Sequence, residues 1–385
     1  VPVAFGGVAN AGRVSSQTMA AFVGFARELY PLGAAEVDVR APFAASASAL
    51  RSRDENGAWE QTLSELNAAR VAAGDGRMYF GLVRLPYASG IVGVGLLPGM
   101  TALGWDALPD AAFTLAHELG HNWGRRHSPC GSPPGVDDQY PYLDGSIGVT
   151  GYRFSVQELQ QPDVSDVMGY CRHAWISDYT YEGVLSFRGV PPAPRMASTE
   201  PRPALLVWGR VRDGEVVLEP AFPVTAPVSL PTAGGPYRFT AIDATGRTAF
   251  SVAFDATPTA DGADGGAAFA FAIPYDAARD APLARLQVDG GRRPAVRLSR
   301  AAAPGAPGAP PAPAAPAPAL SVTRAADGAA TLRWDETAYP MAMVREAATG
   351  TILGFVRGGT GQVPAASGAV EVVLSDGVQT RVSRH

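Results

Sequence analysis

Apolar residues along this chain recur with two different periods, and the change from one to the other divides it. Val3 to Phe5 is a short apolar run that predicts a strand. Met19, Phe22, Val23, Ala26 and Leu29 then fall three or four apart, the spacing that puts side chains on one helix face. Ser15 or Ser16 offers that helix a cap and Pro31 a stop. Glu36-Val37-Asp38-Val39-Arg40 alternates as a half-buried strand would. Trp59, Leu63 and Leu66 predict a second, amphipathic helix after the start signal Asn56-Gly57. Met78 to Val83 is a compact run that reads as a central strand, and Ile91 to Leu97 is another, interleaved with Gly93 and Gly95. Glycine inside a strand permits close approach of a second backbone. Leu108-Pro109-Asp110 opens a third helix, since proline is tolerated in a first turn and a carboxylate suits the positive end. Ala112, Phe113, Leu115, Ala116 and Leu119 give that helix its apolar surface, and Ser177-Asp178 resembles a cap for a last helix through Tyr181 to Phe187.

Pro191-Pro192-Ala193-Pro194 and Pro201 with Pro203 punctuate the chain, and the helical period does not return after them. Leu205-Leu206-Val207-Trp208, Glu215-Val216-Val217-Leu218 and Phe269-Ala270-Phe271-Ala272-Ile273 are strand-like runs separated by Gly, Pro and Asp turns, a spacing that suggests a β-sandwich. Residues 301–319 are Pro, Ala and Gly almost throughout and read as an extended linker. Strand-like runs resume at Ala330 to Trp334, Ile352 to Val356 and Val370 to Leu374. The expected organisation is therefore a mixed domain over 1–195, a sandwich-like domain over 200–300, the linker, and a small β domain over 320–385 that is short enough to need packing on its predecessor. No internal repeat is evident.

Composition narrows the class. The chain has 385 residues, 46% hydrophobic and 17% charged, which is ordinary for a globular protein with ample core. No run of apolar residues is long enough to span a membrane as a helix. Net charge is −5, the 31 basic residues are all arginine, and no basic run occurs, so a nucleic-acid partner is not expected. The numbered sequence opens without a basic stretch followed by an apolar one, so a signal peptide is expected to be absent or already removed. The expected assembly is a monomer.

Candidate chemistry concentrates in one stretch. The chain has 5 histidines, and three of them lie in His117-Glu118-Leu119-Gly120-His121-Asn122-Trp123-Gly124-Arg125-Arg126-His127. Side chains four apart on a helix share a face, so His117 and His121 can point at one metal ion. Glu118 lies beside that face, where its carboxylate can reach a water at the metal without ligating the ion. Gly124 can take the left-handed conformation that ends a helix, returning the chain so that His127 arrives as a third ligand. Three imidazoles with one position open is the layout of a catalytic zinc site, whereas structural zinc is usually closed by four ligands, mostly cysteines.

The long form of the motif, with Gly124 and His127, resembles the signature of the metzincin zinc peptidases. Asp166-Val167-Met168-Gly169-Tyr170-Cys171 is similar to the Met-turn of that clan. The resemblance implies an α+β catalytic domain, built from a mixed twisted sheet with an antiparallel edge strand, a zinc helix and a Met-turn, followed by all-β sandwich-like regions. It implies that Met168 forms a hydrophobic floor under the imidazoles. It also implies that Tyr170, at the Met-x-Tyr spacing of the astacin and pappalysin branches, sits by the zinc and bonds the oxyanion, against the plainer reading of a tyrosine packing the turn. Gly93, Val94 and Gly95 match the position of the edge strand that pairs with an extended substrate, the alternative being a loop tucked under the helix. His173 and Trp175 match the wall of the pocket beyond the cut bond, or else are surface and core. Cys130 and Cys171 flank the same site, so a disulfide between them would tie the third-ligand loop to the Met-turn. Such a bridge would go with a secreted, periplasmic or cell-surface protein. Asp137, Asp138 and Asp144 offer hard oxygen ligands for a calcium ion, although their spacing fits no EF-hand and solvated loop acids are the plainer reading.

These residues together point to a secreted zinc endopeptidase acting on extracellular proteins, with Glu118 as general base. Two alternatives stand beside it: a peptidase for glycosylated, mucin-like proteins, and a glycan-binding or adhesive protein whose β regions do the main work.

Overall fold

A computed structural model describes residues 1–5, 10–189, 200–232, 234–262, 265–290, 296–299, 320–364 and 368–385. Its first half contains β1 (Pro2–Phe5), α1 (Met19–Leu29), β2 (Phe43–Ala45), α2 (Ala58–Ala73), β3 (Tyr79–Val83), β4 (Gly93–Leu96), β5 (Thr101–Trp105), α3 (Asp110–Asn122), β6 (Gly151–Arg153), β7 (Glu158–Gln160), β8 (Ser165–Asp166), β9 (Ala174–Trp175) and α4 (Asp178–Gly189). Strands alone follow: β10 (Arg202–Arg212), β11 (Glu215–Leu218), β12 (Phe222–Ala226), β13 (Tyr237–Asp243), β14 (Thr248–Phe254), β15 (Thr257–Ala260), β16 (Ala267–Pro274), β17 (Leu283–Asp289) and β18 (Val296–Ser299). The last group is β19 (Ser321–Arg324), β20 (Ala330–Arg333), β21 (Met341–Glu346), β22 (Ile352–Arg357), β23 (Thr360–Val363), β24 (Val370–Ser375) and β25 (Thr380–Arg384). The linker expected at 301–319 lies outside the described residues.

The expected fold class needs correction. Among the described residues strand makes up 38% and helix 16%, in four short helices, so the protein is mostly β and not an α+β metzincin domain with β appendages. The physical reason lies at the sheet edges. Strands β4, β5, β3, β1 and β2 lie side by side, and unpaired main-chain groups at such edges recruit further strands. At one edge β22 pairs with β2 in parallel, Ala44 opposite Gly354, where an added Cβ on Gly354 would lie 2.5 Å from the Ala44 carbonyl oxygen. At the other edge β15 pairs antiparallel with β4, Thr259 opposite Leu96 and Ala260 opposite Gly95. The result is one 14-stranded sheet with the order β11-β10-β16-β15-β4-β5-β3-β1-β2-β22-β21-β24-β25 and β12 beside β10. A 4-stranded sheet, β14-β13-β17-β18, packs its Phe239, Phe254 and Leu286 with Phe269 and Phe271 of β16.

Local readings fared unevenly. The segment 36–40 is not a strand. The place beside β1 is taken by β2, and Glu36 and Asp38 instead hold Arg77 in ion pairs. The first helix begins one turn later than its expected cap: Ser15 and Thr18 exchange amide-to-hydroxyl bonds at 2.9 and 3.3 Å, and the helix runs from Met19. Strand β5 escaped the sequence reading. Helix α2 is buried on nearly every face, polar residues included, and is not amphipathic in its surroundings. Strands β10 and β16 cover one side, where Glu60 finds Arg212 of β10, and on the side of the N-terminal strands Glu65 accepts from the Ser46 amide, just after β2, at 2.9 Å. A second core gathers α1, α3 and α4 through Phe22, Leu115, Met168, Trp175 and Val184, and it supports the cluster of histidines.

Candidate metal centre

Helix α3 carries His117, Glu118 and His121 on its buried side. Asn122 anchors its end, donating to the carbonyls of Leu96 and Thr101 at 2.9 and 3.1 Å. Gly124 then turns left-handed at φ 78°, as the sequence requires, and Arg125 N–H reaches back to the Gly120 carbonyl at 3.0 Å. The reversal delivers His127, whose strand-like bridge to Val136 fixes the returning loop. Ser128 N–H donates to the Met168 carbonyl and Tyr170 N–H to the Cys130 carbonyl. The Cys130–Cys171 disulfide spans the same two segments, Cα to Cα 5.6 Å.

The tautomer of each ring follows from its partner. A carbonyl oxygen only accepts, so each Nδ1 that touches one carries the hydrogen. His117 Nδ1 donates to the Val167 carbonyl at 2.7 Å, His121 Nδ1 to the Arg125 carbonyl at 2.7 Å, and His127 Nδ1 to the Pro134 carbonyl. Three Nε2 lone pairs therefore face one another, with His121 Nε2 at 3.1 Å from that of His117 and 3.2 Å from that of His127. Converging lone pairs repel unless a cation lies among them. Nitrogens bound tetrahedrally at about 2.0–2.1 Å from a zinc ion stand roughly 3.3 Å apart, close to the separations of His121 from His117 and from His127.

A fourth group, which sequence reasoning missed, completes the cluster. Asp261, at the tip of the β15–β16 hairpin, places Oδ2 at 3.0 Å from His117 Nε2 and 2.9 Å from His121 Nε2, and Oδ1 at 2.9 Å from His127 Nε2. Its side chain is 8% exposed. The only signal in the sequence was Asp261-Gly262 followed by Gly265-Gly266, which reads as a turn. All four ligand atoms lie within 4.8 Å of one another. Burial opposes charging of His117, yet the Asp261 carboxylate raises its proton affinity above the usual imidazole value. Burial opposes ionisation of Asp261, yet the imidazoles hold its carboxyl well below the usual range. Burial pushes His121 down to about 4, so it is neutral near pH 7.

Glu118 is set apart from these ligands. Its carboxyl is buried, and burial first, then the Asp261 charge, raises its proton affinity well above the ordinary value. Its Oε2 has no hydrogen-bond partner among the described residues. Gly93 and Gly95 of β4 make room for it: an added Cβ at Gly93 would lie 2.3 Å from Glu118 Oε1, and one at Gly95 3.0 Å from Oε2. Val94 between them points into the core.

Met168 is fully buried against Gly120, where a Cβ would come within 2.3 Å of its sulfur. Asp166, also missed from the sequence, holds this turn by accepting from the amides of Met168 at 2.7 Å and Ser177 at 2.8 Å. Tyr170 stands over the cluster, its ring centroid 5.2 Å from that of His127 and its hydroxyl donating to Asp261 Oδ1. Trp175 lies in the core, edge-on to Phe25, and His173 is exposed in a turn at φ 61°. Asp137 accepts from Tyr179 and Asp144 from the Ser146 amide, and among the described residues these acids do not gather into a cation cage.

No protein-family model matches the chain, and no curated protein does. Among solved structures, one titled "Biofilm associated protein - BSP domain" aligns at 12% identity over 48% of this chain and 28% of that one, with a TM-score of 0.15. The chain thus spans little more than a quarter of that protein, and so slight a likeness assigns neither fold nor function. The described residues contain no helix long and apolar enough to cross a membrane.

Proposed function

We propose that this protein is a zinc-dependent peptide hydrolase exported to an oxidising compartment. The observation that carries the reading is Glu118: a buried carboxylate with a free oxygen, given space by two glycines, beside three histidines whose outer nitrogens are already tied to carbonyls. A purely structural metal needs no such group, because an unpartnered buried carboxylate costs stability. The metzincin-like motif at residues 117–127 and the turn at 166–171 support the same chemistry at the level of sequence. Zinc held by His117, His121 and His127 would supply a Lewis acid that polarises the scissile carbonyl and acidifies a water. Glu118 accepts a proton from the attacking water and passes it to the leaving amine. The Tyr170 hydroxyl donates to the oxyanion that develops on the carbonyl. Backbone groups of β4, whose outer edge β15 occupies, would hold an extended peptide by strand addition once that edge is free. The Cys130–Cys171 bridge suits an extracellular or periplasmic setting.

Because Asp261 stands on the three histidines, the assay uses the Asp261→Ala protein. It should contain about one zinc by elemental analysis, cleave unfolded casein, lose that activity to phenanthroline and regain it with zinc. Adding Glu118→Ala should cut turnover by roughly 10²–10⁴ with the zinc retained, the scale of a lost general base. Full activity without zinc would sink the proposal, and loss of zinc with Glu118→Ala would make that residue structural. A second reading, a glycan-binding or adhesive protein, is favoured by the predominance of strand. Glycan-array binding that is indifferent to Glu118→Ala, in a protein that cleaves nothing, would establish it instead.

A further inference from the structure

Strand β15 lies where the proposed function puts the substrate. It adds antiparallel to β4, with Ala260 opposite Gly95, Thr259 opposite Leu96, and Leu97 N–H donating to the Pro258 carbonyl at 2.9 Å. One residue further, the Asp261 carboxylate covers all three histidine Nε2 atoms and takes the Tyr170 hydroxyl as well. We propose that the β15–Asp261 segment is a built-in latch, which occupies the β4 edge and caps the metal position, so that the protein is closed to peptides until the hairpin tip is displaced.

Three observations argue for a latch over a permanent fourth ligand. The first is the unpartnered Glu118 oxygen, which a permanently closed site leaves without purpose. The second is conformational: Asp261 sits at φ 60°, a left-handed turn conformation that ends β15 and that aspartate tolerates better than most residues, so the segment carrying the carboxylate is a turn and not part of the sheet. The third lies at the base of the hairpin. Thr259 Oγ1 and Glu60 Oε1, close to Gly266, are both buried and find no hydrogen-bond partner among the described residues. Unsatisfied buried polar groups weaken the docking that brings Asp261 to the site. By contrast, each of the three histidines is held by a local carbonyl that does not involve the hairpin. The histidine trio can therefore persist when the hairpin leaves. The latch rests on the hydrolase reading for naming what β15 excludes and for the purpose it gives Glu118.

The test uses the full chain with cobalt in place of zinc, and acetohydroxamate as a small metal-seeking probe. If the open form makes up about 0.1–10% of the molecules, Asp261→Ala should tighten the probe's apparent affinity by about 10- to 1000-fold. The cobalt visible spectrum reports binding, and hydrogen exchange of the Leu97 amide reports the β15–β4 pairing independently of the metal. The expected result is a weak response of the wild-type spectrum, a strong response of Asp261→Ala, and faster Leu97 exchange in the variant. Equal probe affinity in the two proteins would overturn the latch. So would loss of cobalt from Asp261→Ala, which would make Asp261 a required ligand. If Asp261→Ala lacks a cooperative melt, Asp261→Asn, which keeps the size of the side chain, is judged by the same two readouts. A variant that gains probe binding yet cleaves no peptide upholds the latch and refutes the hydrolase.

Discussion

Replacing Gly93 by alanine asks what the glycines of β4 are for. From the sequence they suggested room for a substrate backbone; in the structure they border Glu118. A Cβ at position 93 would lie 2.3 Å from Glu118 Oε1, 2.7 Å from Thr114 Cγ2 and 3.0 Å from Glu118 Cδ. At position 95 the nearest atoms are Glu118 Oε2 at 3.0 Å and the Glu118 carbonyl oxygen at 3.3 Å. Non-bonded heavy atoms settle near about 3.5 Å, so the first substitution overlaps by about 1 Å and the second by about half that. Overpacking in a core costs about 1–3 kcal/mol, offset by about 0.5–1 kcal/mol from replacing a flexible glycine in a strand. Gly93→Ala should therefore lose about 1–2 kcal/mol, and Gly95→Ala close to none.

The assay is a double-mutant cycle read by denaturant midpoints. Glu118→Ala removes two of the three close contacts at position 93, so the cost of Gly93→Ala should fall by about 1 kcal/mol in that background, the remainder belonging to Thr114. In the Asp261→Ala protein, Gly93→Ala should lower kcat by up to about 10²-fold through a displaced Glu118, with KM nearly unchanged. A raised KM with kcat intact, together with the same stability cost whether or not Glu118 is present, would refute this reasoning and return the glycines to the substrate.

Two further substitutions separate chemistry from architecture. In the Asp261→Ala background, Tyr170→Phe should reduce kcat and kcat/KM together by about 10²-fold if its hydroxyl serves the oxyanion, and an unchanged kcat would leave Tyr170 only its bond to Asp261. Arg212→Ala strips the counter-charge from Asp54 and Glu60, which are almost fully buried at ion-pair distances of 3.1 and 2.9 Å, and should cost about 3 kcal/mol in denaturant unfolding; a loss below about 1 kcal/mol would mean that water reaches both carboxylates.

The three histidines and Glu118 were legible because their geometry is local. One helix turn and one glycine reversal bring the rings together, and those spacings are written in the chain between 117 and 127. The helices were legible for the same reason, since apolar spacing in α1, α3 and α4 reports a single buried face. What failed was non-local. Alternation at 36–40 describes a strand's faces but not whether a neighbouring strand exists, and β2 had taken that place. Burial of α2 on all sides depends on β10 and β16, far along the chain, and so does the closure of both edges of the N-terminal strands by β15 and β22. Asp261 belongs to this class: at position 261 nothing local distinguishes a metal-facing carboxylate from a turn residue.

Counting ligands alone, three histidines and a buried aspartate describe a closed site, which argues for a structural metal. Glu118 argues the opposite, and the supports of the four ligands resolve the conflict. Arg125 and Pro134 hold two of the imidazoles from within the same stretch of chain, and Val167 holds the third from a turn that the disulfide and the Asp166 bonds fix. Asp261 is held from outside that stretch, by the Tyr170 hydroxyl and by the pairing of β15 with β4 and β16. It is reached through a short hairpin, in a left-handed conformation, above two unsatisfied polar atoms. The most rigidly supported ligands are those that the proposed chemistry requires, and the least supported is the one that blocks it. That inequality is expected when one of four ligands must leave for the site to work, and it would have no cause if all four served only to hold an ion in place.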